Sequence, residues 1–241
     1  MANPEHVYLI RLCSDEKMKE EITSDEAPMP VMDLTGLVLE NADLSSADLR
    51  MLSLNCNDLQ GADLSDADLR KSDLRFAELS NADLTGADLS ETVMHSIFLT
   101  GANLSNAKLL KTKMPAAILD QAILKNANLS GADLYNSKMN QADLRAADFS
   151  GAKLAYVSME EADLSGANLN NADLRETSLV GANLTDVNLE GARIISRQWL
   201  DNLERCNPPI RGFRRHEWSV KVEIDESENE VYTIIRSNKT K

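Results

Sequence analysis

Ala62-Asp63-Leu64-Ser65-Asp66-Ala67-Asp68-Leu69-Arg70-Lys71 is two copies of a five-residue phrase that runs without slippage from residue 32 to residue 196. Its central position is apolar at all 33 places from Leu34 to Ile194: Leu at 27, Met at four, then Phe149 and Ile194. Two residues before each, the chain prefers Ala; between them it prefers Asp or Asn. Neither regular secondary structure accommodates a period of five. An α-helix advances about 100° per residue, so successive leucines would sit roughly 140° apart and face no common core. A plain strand alternates with period two, so every second leucine would flip outward. What fits is a short extended piece and then a corner. Ala and Leu point inward, the Asp or Asn between them points out, and the next two residues, such as Ser65-Asp66 or Thr100-Gly101, supply turn chemistry. A chain bent this way coils around a leucine-filled axis as a solenoid.

Sorting the phrases by twenty residues gives the number of sides. One inward column becomes uniform (Ala42, Ala62, Ala82 and so on to Ala182), and the next is nearly so, from Ala47 to Ala167 and then Val187. The irregular residues collect in the other two columns, one running Leu37, Asn57, Ala77, Ile97, Ala117, Ser137, Val157, Thr177. The separation predicts four sides per coil, about eight coils, and a rod of roughly 40 Å at the strand spacing.

Phrases such as Ala82-Asp83-Leu84-Thr85-Gly86 and Ala162-Asp163-Leu164-Ser165-Gly166 resemble the pentapeptide repeat family, whose consensus is Ala-Asp/Asn-Leu-X-X. The resemblance covers about two thirds of the chain. It implies an all-β fold, the right-handed quadrilateral β-helix; spacing alone gives the four sides and not the handedness. It also suggests a bacterial source, cyanobacteria holding many such proteins.

The domain organisation expected is an N-terminal cap or arm over residues 1–31, the repeat over 32–196, and a helix with a β-hairpin over 197–241. In the first segment Val7–Leu12 reads as a strand and Ser14–Ile22 as a short helix with Ser14 as N-cap, ended by Pro28 and Pro30. It either closes the axial core or serves as a partner-binding arm. After Ile194, Arg197–Arg205 reads as a helix with Ser196 as N-cap and with Trp199, Leu200 and Leu203 on one face. Trp218–Ile224 alternates cleanly, and Val231–Ile235 is its hairpin mate; the hairpin either caps the rod or adds an edge for self-association.

The 241-residue chain has a net charge of −14, no 18-residue apolar run, and no basic, signal-like start. Cys13, Cys56 and Cys206 share no framework spacing. The expectation is a cytoplasmic protein that is not membrane-bound. His6, His95 and His216 are scattered, so no metal site is expected. No phosphate-cradling glycine motif or nucleophile elbow occurs, so neither a cofactor nor catalysis is expected. The columns of outward Asp are too many and too regular for an acid–base pair. Arg211, Arg214, Arg215 and His216 form a basic cluster, but the chain is acidic overall and lacks interleaved aromatics, so no nucleic-acid partner is expected.

Three functions remain. The first is a non-enzymatic scaffold for another protein. Between residues 92 and 124 the outward positions hold Val93, Phe98, Ile118 and Ile123 where Asp or Asn is usual. Phe98 and Ile118, twenty apart, should stack on one side, with Phe76 at the preceding corner one coil earlier. Phe76, Phe98, Ile118 and Ile123 are therefore the candidate partner-binding patch. A terminal segment folded back over these residues is the alternative reading. The second function, implied by the resemblance, is mimicry of DNA toward type II topoisomerases such as gyrase. Residues 32–91 carry 13 acidic and four basic side chains, net −9. Over the first three coils that is one charge per ~1.6 Å, near the ~1.7 Å of duplex DNA. The acidic stretch is only ~14 Å long, however, against ~34 Å for one DNA turn. Residues 92–196 carry only net −2. Gyrase-directed members are dimers and often carry interrupting loops, whereas these repeats run without insertion. The third is an enzyme built from the terminal segments, which no motif supports.

Overall fold

The computed structural model describes residues 34–205, 208–225 and 229–237. The residues between Ala and Leu form continuous ladders in which each pairs in parallel with the residue twenty positions on: Asp43 with Asp63, Asp63 with Asp83, Phe98 with Ile118, Asp143 with Asp163. The coil therefore closes every twenty residues, on four sides. Each side ties itself to both neighbouring coils through the backbone. The Asp63 N–H donates to Ala42 O at 2.9 Å, Leu64 N–H to Asp83 O at 2.7 Å, and the corner Asp66 N–H to Thr85 O at 2.8 Å.

The corners explain why the period is five. The second corner residue of every phrase from Gly36 to Gly191 has φ between +53° and +74°, although most are not glycine. In most corners the following inward residue donates back to the leucine carbonyl, as Ala67 N–H does to Leu64 O at 3.1 Å. A hydrogen-bonded turn with positive φ at its third residue is a type II turn. The left-handed conformation costs roughly 1 kcal/mol or more for a residue with a Cβ, and the inter-coil bond from the same N–H holds it there.

All 33 residues of the leucine register are buried. Each contributes roughly 1.5–3 kcal/mol of transfer free energy, while ordering a residue's backbone costs about 1–2 kcal/mol. A single coil therefore does not hold itself, and the inter-coil ladders are essential. The polar residues in the irregular columns are satisfied inside: Ser137 Oγ accepts from Ala117 N–H and donates to Met114 O, both at 3.0 Å, and Thr177 Oγ1 donates to Leu154 O at 2.8 Å. Asn57 Oδ1 likewise accepts from Leu37 N–H at 2.8 Å, leaving its Nδ2 as a buried donor without a partner.

After β1 (Arg193–Ile194) the chain crosses the end of the axis as α1 (Trp199–Glu204), whose Trp199, Leu200 and Leu203 join the core. The helix starts later than Ser196, the N-cap expected from sequence. Gln198 occupies the cap position without a side-chain bond, and Ser196 only offers its carbonyl to Trp199 N–H at 3.2 Å. Seating three apolar residues over the last leucines outweighs a cap hydroxyl worth ~1 kcal/mol. Pro208–Arg211 then returns to the ladder as an extra rung: Asn183 pairs in parallel with Arg211, and Gly181 N–H donates to Pro208 O at 3.1 Å. β2 (Trp218–Ile224) and β3 (Glu230–Arg236) form an antiparallel hairpin. β3 pairs with β1, Ile194 facing Tyr232, so the sheet order is β1-β3-β2. Two sides of the last coil thus have their outer backbone groups occupied. The segments expected at Val7–Leu12 and Ser14–Ile22 lie outside the described residues.

Candidate partner-binding surface

The outward Asp and Asn bind their own corner. Asp63 Oδ1 accepts the backbone N–H of Ser65 at 2.9 Å and its hydroxyl at 2.6 Å, and Asn128 does the same for Ser130. This Asx turn recurs through most of the rod and is why the outward position prefers a short side chain with an oxygen acceptor. Where the next corner residue is Arg, the carboxylate is held twice more. Arg70 Nε and Nη2 reach Asp68 at 2.8 and 2.6 Å, and Arg145 reaches Asp143 at 2.7 and 2.5 Å. These hydrogen bonds hold the Asp68 and Asp143 carboxyls below the usual carboxylate range. Arg50 binds Asp48 at 2.7 Å and also approaches Asp68 at 3.5 Å, and Lys108 approaches Asp88 at 3.7 Å, so one side is a mixed-charge ladder.

Val93, Phe98, Ile118 and Ile123 have no oxygen to offer their corners. Phe98 and Ile118 are neighbours in one ladder, on the side that runs Val38, Asp58, Glu78, Phe98, Ile118, Lys138. Phe98 is 39% exposed and Ile118 half-buried. Phe76, 56% exposed, stands at the corner leading into that side, one coil before Phe98. Ile123 belongs to the next side, between Asn103 and Asp143. The four residues expected as one patch are therefore three around one corner and one beyond the opposite corner.

Two further exposed rings, which the sequence reading does not name, stand near this side. Tyr135 and Tyr156, each about half exposed, stand at the same corner as Phe76 in later coils and contact each other edge-on, with centroids 5.4 Å apart. Between Leu34 and Ile194 the aromatic rings are Phe76, Phe98, Tyr135, Phe149 and Tyr156. Phe149 fills the axis, and the other four lie on this one side and its leading corner. Sorting the corner positions by twenty, as was done for the inward ones, is the signal that finds them. Where the corner meets the hairpin, a cavity of about 510 Å³ is lined by Tyr135, Tyr156, Arg175, Arg193 and Tyr232 among others.

The basic cluster is used internally only in part, and His216 is exposed. Arg211 is in the ladder, Arg214 binds Glu217 at 3.3 Å, and Arg215 binds Asp201 at 2.8 Å and Trp218 O at 2.6 Å. Among the described residues no group of three or more His, Cys, Asp or Glu side chains is placed to hold a metal, and no helix is long and apolar enough to cross a membrane.

No curated protein matches the chain. Among solved structures it is similar to HetL, a pentapeptide repeat protein involved in heterocyst differentiation regulation from the cyanobacterium Nostoc. The two are 27% identical over 74% of this chain and 96% of that one, with a TM-score of 0.31. It is also similar to QnrB1, a plasmid-mediated fluoroquinolone resistance protein, at 16% identity over 71% and 97%, TM-score 0.47. A third is Rfr23, a pentapeptide repeat protein from the cyanobacterium Cyanothece, at 23% identity over 65% and 87%, TM-score 0.19. The profile for pentapeptide repeats matches in overlapping segments from residue 58 to residue 194, with eight copies. That span is more than half of the chain, and the protein belongs to the pentapeptide repeat family.

Proposed function

We propose that this protein is a non-enzymatic scaffold, a right-handed rod of about eight coils that binds another protein along one side and corner. At the C-terminal end α1 and the hairpin close the rod. Phe98 and Ile118 supply the apolar centre, with Phe76, Tyr135 and Tyr156 along the flanking corner and Ile123 at the far edge. The observation that carries this reading is the confinement of all four outward rings of the coils to one side and its corner. Aromatic residues are the side chains most enriched at protein interfaces. The coil itself gains nothing from them, since Asp at positions 98 and 118 would bond the corner N–H that Phe and Ile leave without a side-chain acceptor. Exposed, free Cys56 fits a reducing cytoplasm.

The test uses the same logic. Phe98→Asp with Ile118→Asp should leave the melting temperature unchanged or raised while reducing capture of the partner from the native host by tenfold or more on an affinity matrix, about 1.4 kcal/mol. An unchanged set of captured proteins at unchanged stability would sink the reading. DNA mimicry is the weaker alternative. The acidic coils span only ~14 Å, under half a DNA turn, and the coils after them carry net −2 over residues 92–196.

A further inference from the structure

Among the described residues β2 is the outer strand of the C-terminal sheet, with β3 on one side and no further strand on the other. Arg215 takes the Trp218 carbonyl, so the open edge runs from Ser219 to Ile224. This edge has no proline, no bulge and an unbroken seven-residue register with β3, and its guards against pairing are confined to two charges. Its charges are the pair Lys221 and Glu223, both about half exposed on one face, while Val220, Val222 and Ile224 share the other. Ile224, 63% exposed, is the most exposed large apolar side chain described.

We propose that β2 pairs antiparallel with β2 of a second copy of this chain, about a two-fold axis through Val222, joining two rods through their C-terminal sheets. Antiparallel pairing of a strand with itself is self-complementary by symmetry. Only registers centred on a residue keep the charged face against the charged face and the apolar face against the apolar one. Centred on Lys221, two lysines meet on the axis; centred on Glu223, two glutamates do. Centred on Val222, Lys221 faces Glu223 of the second copy, Glu223 faces its Lys221, and Val220 faces its Ile224. Opposite charges directly across a sheet stabilise and like charges destabilise. The sequence therefore selects this register against its nearest competitors. One strand per copy is a small interface, so the association is weak, with Kd on the order of 10–100 µM.

Sedimentation velocity on the full chain from about 5 to 300 µM, spanning that Kd, tests it. The wild type should dimerise with concentration. Lys221→Glu and Glu223→Lys should each weaken the dimer about tenfold or more, and the double variant Lys221→Glu/Glu223→Lys, which restores every cross-strand pair, should recover it. Circular dichroism melts on the same samples keep loss of fold distinct from loss of pairing. A wild type that stays monomeric overturns the proposal, as does a dimer that neither single reversal weakens or a double variant that fails to recover. A monomer whose β2 amides are slow to exchange also overturns it, and gives the edge instead to another segment of this chain such as residues 7–12.

Discussion

Each corner of this rod places one residue in the left-handed region, and the surroundings decide how tightly that residue is specified. Gly151 and Gly212 share that backbone region, with φ of +65° and +71°. A Cβ at Gly151 would meet nothing within 4 Å, whereas one at Gly212 would lie 2.6 Å from Thr185 Cα and 2.7 Å from Thr185 N. Those are backbone atoms of the last coil, which has no room to move away. Gly151→Ala should therefore cost only the conformational penalty, about 1 kcal/mol, as most non-glycine corners already bear it. Gly212→Ala should cost more than twice as much, because Pro208–Arg211 must lift off the ladder to relieve the clash. Urea unfolding of the two variants checks this. Equal losses would mean that the returning segment does not depend on close approach at Gly212.

At the level of the five-residue side, the sequence announced the inward half plainly, because one residue type at one spacing admits one geometry. The outward half was less legible. Asp63 reads as a solvated charge and is in fact an acceptor that closes its own turn, a role visible only once the corner's N–H has a direction. Tyr135 and Tyr156 escaped notice because corner residues read as turn chemistry, and which corner they occupy depends on the twenty-residue closure. Ile123, like Ile118, is an apolar residue at an outward position, yet five residues carry it around an edge. Ser196 was read as a cap from local preference, which packing of Trp199, Leu200 and Leu203 overrode. The Asp-Leu-Arg phrase adds a pH signature at this scale. Arg145 holds the Asp143 carboxyl below its ordinary range. Its contribution is therefore complete above the unfolded pKa of about 4 and is lost as pH falls through the lower folded value. Arg145→Gln should lower the melting temperature slightly at pH 7, on the order of 1–2 °C for so exposed a pair. The gap should close in acid. A gap that stays constant as pH falls would assign the loss to packing of the arginine stem instead of the ion pair.

Across the whole molecule the repeating unit is the twenty-residue coil, because the ladders join each outward residue to the one twenty positions on, with longer-range pairs such as Asn183 with Arg211 only where the C-terminal segment closes the rod. Stability should then be nearly a sum over coils and the contacts between neighbours. This can be tested by excision. Deleting residues 125–144 joins Leu124 to Arg145, and every later residue keeps its side: Ile123 stacks beneath Asp163, and Arg211 still meets Asn183. The shortened protein should fold, melt in one transition at a lower temperature, and keep Phe76, Phe98 and Ile118 on their shared side. Deleting only residues 125–129 also leaves every leucine on the axis, but it turns the later coils by one side. Tyr135 and Tyr156 then move away from the Phe76 corner, while the C-terminal segment still seats on its own last coil. Both deletions should therefore give folded rods by circular dichroism; the twenty-residue one loses Tyr135 but keeps Tyr156 at the corner, so the five-residue one, which displaces both, should weaken partner capture further. If neither rod folded, stability would depend on contacts between distant coils, and the nearest-neighbour picture would fail. If both captured the partner equally, Tyr156 would be excluded from the binding surface, since Tyr135 is absent from one rod and displaced in the other.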